Sequence, residues 1–387
     1  TCIMVKKIPK VSIVECKTYN QKEVDFVVKK AFDMIGGLEK YVKPSDKVLI
    51  KPNLILPLKP QRSATTHPSV VSSLCKELSR IGCEIWIGDS SAVESFGKTK
   101  AAINITGMQE VANKYSAKIM SLDSTGSVTI KNENARVLRE IQIAKAVVDA
   151  DIIISVPKMK THIFTLYTGA VKNLMGTVPG YNKAKIHELA NDLNSFSDAM
   201  ADLYETVKPH LGLMDGIIGM EGNGPTAGNP RKAGMIVASN NLVALDIVVS
   251  EIMGFRHDEI MTNKKLIERK VINPSSIIVY GRRSIVKFKR PSTWTKILVG
   301  NNLAALYHKN LRTEPRINKD KCKKCFICKD HCPVSAIDTN LGIDSSRCIL
   351  CYCCHEICPE NAIVLQKTFL ASTLKHIFKR LKFWRTE

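Results

Sequence analysis

Short apolar runs rich in valine and isoleucine recur over the first 281 residues and alternate with longer amphipathic stretches. Residues 47–54 (KVLIKPNL), 84–91, 151–158, 211–218, 234–239 and 276–281 read as buried strands, each closed by Gly, Pro, Asp or Ser. Between them, 22–35, 69–81, 137–149, 188–207 and 243–254 carry apolar residues at helical spacing. This alternation predicts a layered α/β domain over 1–281 with a largely parallel sheet. In such sheets ligands bind beyond the carboxyl ends of the strands. The pattern then changes. Residues 282–315 read as a basic linker, 316–366 as a small cysteine-rich α+β domain, and 367–387 as one amphipathic helix. On that helix Phe369, Leu370, Leu374, Ile377, Phe378, Leu381 and Trp384 share one half of the wheel, opposite Lys375, Lys379 and Lys382.

The cysteine-rich stretch holds two runs, Cys322–Pro333 and Cys348–Pro359, each spaced C-x2-C-x2-C-x3-C-P. This is the bacterial ferredoxin spacing, in which three cysteines of one run and the fourth of the other hold one cluster. Cys322, Cys325, Cys328 and Cys358 are therefore expected to ligate one [4Fe-4S] cluster, and Cys348, Cys351, Cys354 and Cys332 a second. Cys353 is a ninth cysteine between two ligands and is expected to be dispensable for cluster binding. Zinc also accepts CxxC pairs, but does not call for this spacing twice with the proline each time. Disulfides are not expected: Cys2, Cys16, Cys75 and Cys83 are scattered and no apolar leader is visible, so a reducing, cytoplasmic setting is expected. No apolar run is long enough for a membrane span.

Charge sharpens the layout. Residues 282–321 carry 11 Lys and Arg against 2 Asp and Glu, and 367–387 carry 6 against 1, whereas 322–366 carry 4 against 5. The basic excess flanks the cysteine-rich module, which suits docking to a redox partner protein. The tail could lie on an anionic membrane surface or in a partner's groove. Nucleic acid is disfavoured, because no helix-turn-helix, finger spacing or RNP-like motif accompanies the charge.

Polar residues of a chemical kind close several strands. Lys51 and Asn53 end one, Asp89, Ser90 and Ser91 another, and Lys158, Lys160, Thr161 and His162 a third. Lys172, Asn173 and His187 follow, then Asp215, Glu221 and Asn223 near a glycine-rich loop. Singly, a strand-end lysine is a solvated edge, an aspartate a helix cap, and GNGP a turn. Together at one sheet edge they predict a site for an anionic small molecule. Lys51, Lys158, Lys160, Lys172, Asn53, Asn173, Glu221 and Asn223 would bind it, and His162, His187, Asp89 and Asp215 would do acid–base work. Asp89, Asp215, Glu221 and Asp246 offer carboxylates to a divalent ion as an alternative. Neither a Walker loop nor a strand-linked G-x-G-x-x-G is present.

The segments KPNL, THP, GDSS, PKMKTH, GAVKNLMG and DGIIGMEGNGP resemble the motifs of the domain of unknown function 362 family, over roughly residues 10–366. Members are often joined to a two-cluster ferredoxin module. The resemblance implies an iron–sulfur redox protein with an α/β main domain and places Lys51, Asn53, His67, Asp89, Lys158, His162, Lys172, Asn173, Asp215 and Glu221 in family motifs. It implies no reaction. An oxidoreductase acting at the α/β domain and a non-catalytic electron-transfer or assembly subunit both fit.

Overall fold

The computed structural model describes residues 8–91, 98–180, 182–293 and 313–367. Its strands are β1 (Lys10–Glu15), β2 (Lys47–Pro52), β3 (Glu84–Asp89), β4 (Lys118–Ser121), β5 (Ser127–Lys131), β6 (Glu140–Ala144), β7 (Ile152–Val156), β8 (Lys158–His162), β9 (Leu166–Thr168), β10 (Leu211–Glu221), β11 (Asn229–Ser239), β12 (Ile278–Tyr280), β13 (Thr313–Ile317) and β14 (Ile363–Lys367). The main sheet runs β12-β1-β11-β10-β7-β2-β3-β4, with β8 added to β10 and β9 to β8. Along that path β11 alone is antiparallel to its neighbours, so the sheet is largely parallel as the alternation predicts.

Both faces of the sheet are covered. Along β2, Val48 and Ile50 join one core cluster while Leu49 joins the other, because successive side chains leave a strand on opposite sides. The helices follow local rules. Asn20 caps Gln21–Asp33 by accepting the Lys22 N–H. The helix Pro68–Ile81 starts on the THP motif: Pro68 sits in its first turn and the His67 imidazole accepts the Ser69 N–H, and the helix ends at left-handed Gly82.

Residues 137–149 do not form the expected helix. Glu140–Ala144 is β6, paired antiparallel with β5, and a helical turn at Lys145–Val148 follows. Glu140 and Gln142 are exposed while Ile141 and Ile143 are buried, a period of two that suits a strand. The α/β domain also continues past 281. Val286 and Phe288 donate backbone N–H groups to the Ile252 and Met253 carbonyls, Phe288 is buried, and Thr293 Oγ1 donates to the Ile163 carbonyl. The remainder of the basic linker, 294–312, and the amphipathic tail, apart from Lys367 in β14, lie outside the described residues.

The cysteine-rich module pairs β13 with β14 antiparallel and carries two short helices, Ile327–Asp330 and Cys353–Ile357. Cys328, Ile337 and Ile363 form its small core.

Candidate functional site

Because β2, β3 and β7 are parallel, their carboxyl ends share one edge, where Lys51 lies in register with Ser155 and Asp89 closes β3. A cavity of about 100 Å³ opens there, enough for several waters or one small molecule. Lys51, Asn53, Asp89, Lys160, His162, Lys172, Asn173 and His187 line it, eight of the residues expected at the site.

A buried ion pair forms its floor. Lys51 Nζ lies 2.7 Å from Asp89 Oδ1 and donates to the Pro52 carbonyl at 3.0 Å and to Asn173 Oδ1 at 3.3 Å. The second Asp89 oxygen accepts the Leu54 N–H at 2.8 Å. Gly176 packs on this pair so tightly that a Cβ there would collide with the Asp89 carboxylate. Asn173 is saturated: its amide donates to the Lys51 carbonyl and Ser155 Oγ, and its oxygen also accepts from Asn53. Lys51, Asp89, Asn53 and Asn173 thus hold each other, an arrangement that shapes the floor.

The remaining cations line the walls. Lys160 Nζ donates to Asn53 Oδ1 and the Ala64 carbonyl, both at 2.7 Å. Burial and the charge of Lys172 bring it down to about 7. Lys183 donates to the carbonyl of Ser90 at 2.7 Å, to its hydroxyl and to the carbonyl of Ser91, and burial brings it down to about 8. Burial also lowers Lys172. Both histidines are neutral at pH 7: burial, then Lys172, pushes His162 well below its ordinary value and His187 down to about 3. His162 Nδ1 accepts the Phe164 N–H at 3.1 Å, so its proton sits on Nε2, which faces Glu356 Oε1 at 3.3 Å.

That glutamate belongs to the cysteine-rich module. The helix Cys353–Ile357 caps the cavity with Cys353, Glu356 and Ile357, and Thr226 Oγ1 donates to the Glu356 carbonyl at 3.4 Å. Burial raises Glu356 to about 7, against the pull of Lys172 and Lys160.

All cysteines among the described residues are free. The thiols of the two runs lie close enough to act on one another. Burial and the thiols of Cys358, Cys325 and Cys322 push Cys328 up to about 11. Burial and the thiols of Cys351, Cys348, Cys332 and Cys328 push Cys354 well above its ordinary value. The fourth cysteine of each run accepts a backbone N–H at 3.2 Å, Cys332 from Ala336 and Cys358 from Ala362. Such N–H···S bonds suit thiolate ligands of iron. Both quartets therefore fit a [4Fe-4S] cluster. Among the described residues no three His, Cys, Asp or Glu side chains converge on a single ion, which leaves a divalent ion in the α/β domain without a ligand set. A cubane differs, because each of its sulfur ligands binds a separate iron.

Five residues named from the sequence lie elsewhere. Asp215 and Lys158 pair at 2.9 Å, fully buried, and both bond the Tyr19 hydroxyl, while Asp215 also accepts the His67 N–H. Glu221 accepts the Lys289 N–H and Asn223 the Ser292 N–H, so both fasten the start of the basic segment. Asp246 accepts from Tyr167 and from the Ala170 and Val171 N–H groups, and burial raises it to about 6. Sequence reasoning missed Lys183 and Glu356. Lys183 lies in a helix with no strand-end signal. The signal for Glu356 was available: an acid inside a ligand run, CCHEICP.

A family described as domain of unknown function (DUF362) matches residues 48–251, and one described as 4Fe-4S binding domain matches 341–364. The thylakoid-associated protein sll1697 of Synechocystis sp. is 31% identical over 267 residues, covering 69% of this chain and 81% of its own. The lactate racemase apoprotein of Thermoanaerobacterium thermosaccharolyticum aligns with a TM-score of 0.42 at 12% identity, covering 64% of this chain and 57% of its own, less than two thirds. The chain carries a 4Fe-4S binding domain. No helix among the described residues is long and apolar enough to cross a membrane.

Proposed function

Because the chain belongs to the DUF362 family, whose description assigns no reaction, we propose its function from the site: an iron–sulfur oxidoreductase acting on a small anionic molecule in the strand-end cavity. One observation carries this reading. The helix that bears Cys354 also bears Cys353, Glu356 and Ile357, which line the same cavity as Lys51, Lys160 and Lys172. Two [4Fe-4S] clusters, held by Cys322, Cys325, Cys328 and Cys358 and by Cys348, Cys351, Cys354 and Cys332, would supply one-electron transfer. The chain's own residues do the rest. The buried lysines attract the anion, the Lys51–Asp89 pair and Asn173 fix the floor, and the module's helix excludes water. His162 holds a proton on Nε2 at the cavity wall, against Glu356.

A second reading is a non-catalytic electron-transfer subunit. Cys325 is exposed and its flanking Lys323 and Lys324 are exposed too, a surface suited to an acidic redox partner protein. The thiolate demand supports a reducing, cytoplasmic compartment. A relative named thylakoid-associated keeps a peripheral membrane contact through the basic tail open to test. The deciding experiment is anaerobic purification, iron and sulfide analysis and EPR of the reduced protein. The oxidoreductase reading expects about eight irons and eight sulfides and a cluster spectrum altered by Lys172→Met. Zinc in place of iron contradicts both readings, and a spectrum indifferent to Lys172 leaves only the carrier.

A further inference from the structure

A buried ammonium needs a counter-charge or hydrogen-bond acceptors. Three of the four lysines lining the cavity have them: Lys51 has Asp89, Lys160 has Asn53 Oδ1 and the Ala64 carbonyl, and Lys183 has the Ser90 and Ser91 carbonyls. Lys172 does not. Among the described residues its Nζ has neither a hydrogen-bond acceptor nor a carboxylate within ion-pair distance, and its near neighbour is the Phe196 ring, 5.8 Å to the centroid. His187 stacks on the same ring, with centroids 4.7 Å apart. It is 8% exposed, lines the same cavity, and its Nδ1 has no partner. Two polar groups thus lie around one phenyl ring at the cavity, both lacking a counterpart. Ile55, Met175, Pro225 and Ile357 give the cavity an apolar side.

We propose that the cavity binds one small aliphatic monocarboxylate, with Lys172 as its anchoring cation, His187 as its second polar contact and the apolar side holding a short alkyl chain. The proposal deepens the reading of the cavity given above and rests on it. Charge and size set the class. Lys172 is the cavity lysine with no bonded acceptor, which favours one carboxylate beside it, and a second negative charge would meet the Glu356 and Asp89 carboxylates on the wall. About 100 Å³ admits a short acid and suits a small molecule better than a nucleotide. The apolar side favours an organic acid over an inorganic oxyanion of similar charge.

The test uses the full chain, purified anaerobically with its clusters, titrated by calorimetry with propionate, propionamide, succinate and chloride. Propionate should bind, with propionamide and succinate weaker by about tenfold or more. Lys172→Met and Lys172→Gln should each weaken propionate by about tenfold or more. The same variants, without ligand, should melt no lower than the parent, because each removes a half-buried charge that has no bonded acceptor. A purely structural lysine would move melting and leave binding alone. Equal binding of propionamide, equal competition by chloride, unchanged binding in both variants, or a lower melting temperature in both would overturn the proposal. Failure of the redox reading looks different: propionate would bind through Lys172 yet leave the EPR spectrum of the reduced clusters unchanged.

Discussion

The two cysteine runs share one spacing and differ in surroundings. In the first, Cys325 is exposed, Cys322 half-buried, and Lys319, Lys321, Lys323 and Lys324 stand in solvent around them. In the second, the helix Cys353–Ile357 is pressed on the α/β domain, Cys353 is buried, and Glu356 faces His162 of the opposite wall. Cys353 also hydrogen-bonds the Cys351 thiol, lowering it below its ordinary value, and the first run has no counterpart to it. Spacing fixes which sulfurs can share a cluster. The surrounding domain fixes which sulfurs meet water and which are covered, and that division sets the two runs apart.

The largest effect that would break this comparison is on metal content. Cys325→Ser and Cys351→Ser should each lose about half of the iron, four of about eight, measured with acid-labile sulfide. Loss of all iron in either variant would show that the quartets do not stand apart. Next, a water-soluble iron chelator should strip the reduced protein in two phases, the quartet with the exposed Cys325 several-fold faster than the quartet of half-buried Cys332, Cys348, Cys351 and Cys354, roughly as solvent access dictates. A single phase would erase the distinction.

The dryness of the second quartet's neighbourhood can be sharpened by pH. The buried His187 has a native value of about 3 against an unfolded value of about 6.5, so the unfolded chain binds the extra proton between them. Stability from this group is complete above 6.5 and is lost as pH falls toward 3. His187→Phe should flatten the acid limb of a denaturation series, by at most about 1.4 kcal/mol per pH unit. An unchanged slope would mean that water reaches the imidazole. The smallest effect is at Cys353. Cys353→Ala should keep both clusters and shift the reduction potential of one, because it removes an S–H···S bond at Cys351.

Much of this was legible in the chain. The strands ending at Lys51, Asp89 and Val156 are announced by valine and isoleucine runs, and their parallel pairing brings those ends together. The cysteine spacing carries the grouping of the thiols. The stretch 137–149 misled because EIQIA fits period two while the flanking apolar residues suggest a helix. Strand-end position alone could not separate Lys160, which reaches the cavity, from Lys158, two residues earlier, which Asp215 and Tyr19 claim. That choice is made by β10 and by Tyr19, distant in sequence. Glu356 was hidden for the same reason: only docking of the module shows that it faces lysines of another domain.

The second cysteine run carries the helix that closes the cavity, so a cluster held by Cys354 should sense a ligand bound there. The most direct measurement is electron–nuclear double resonance on the reduced, full-length protein soaked with carboxyl-13C propionate. A 13C hyperfine coupling to a reduced cluster is expected, and it should disappear in Lys172→Met while the iron content stays whole. Propionate bound through Lys172 with no coupling to either cluster would contradict it.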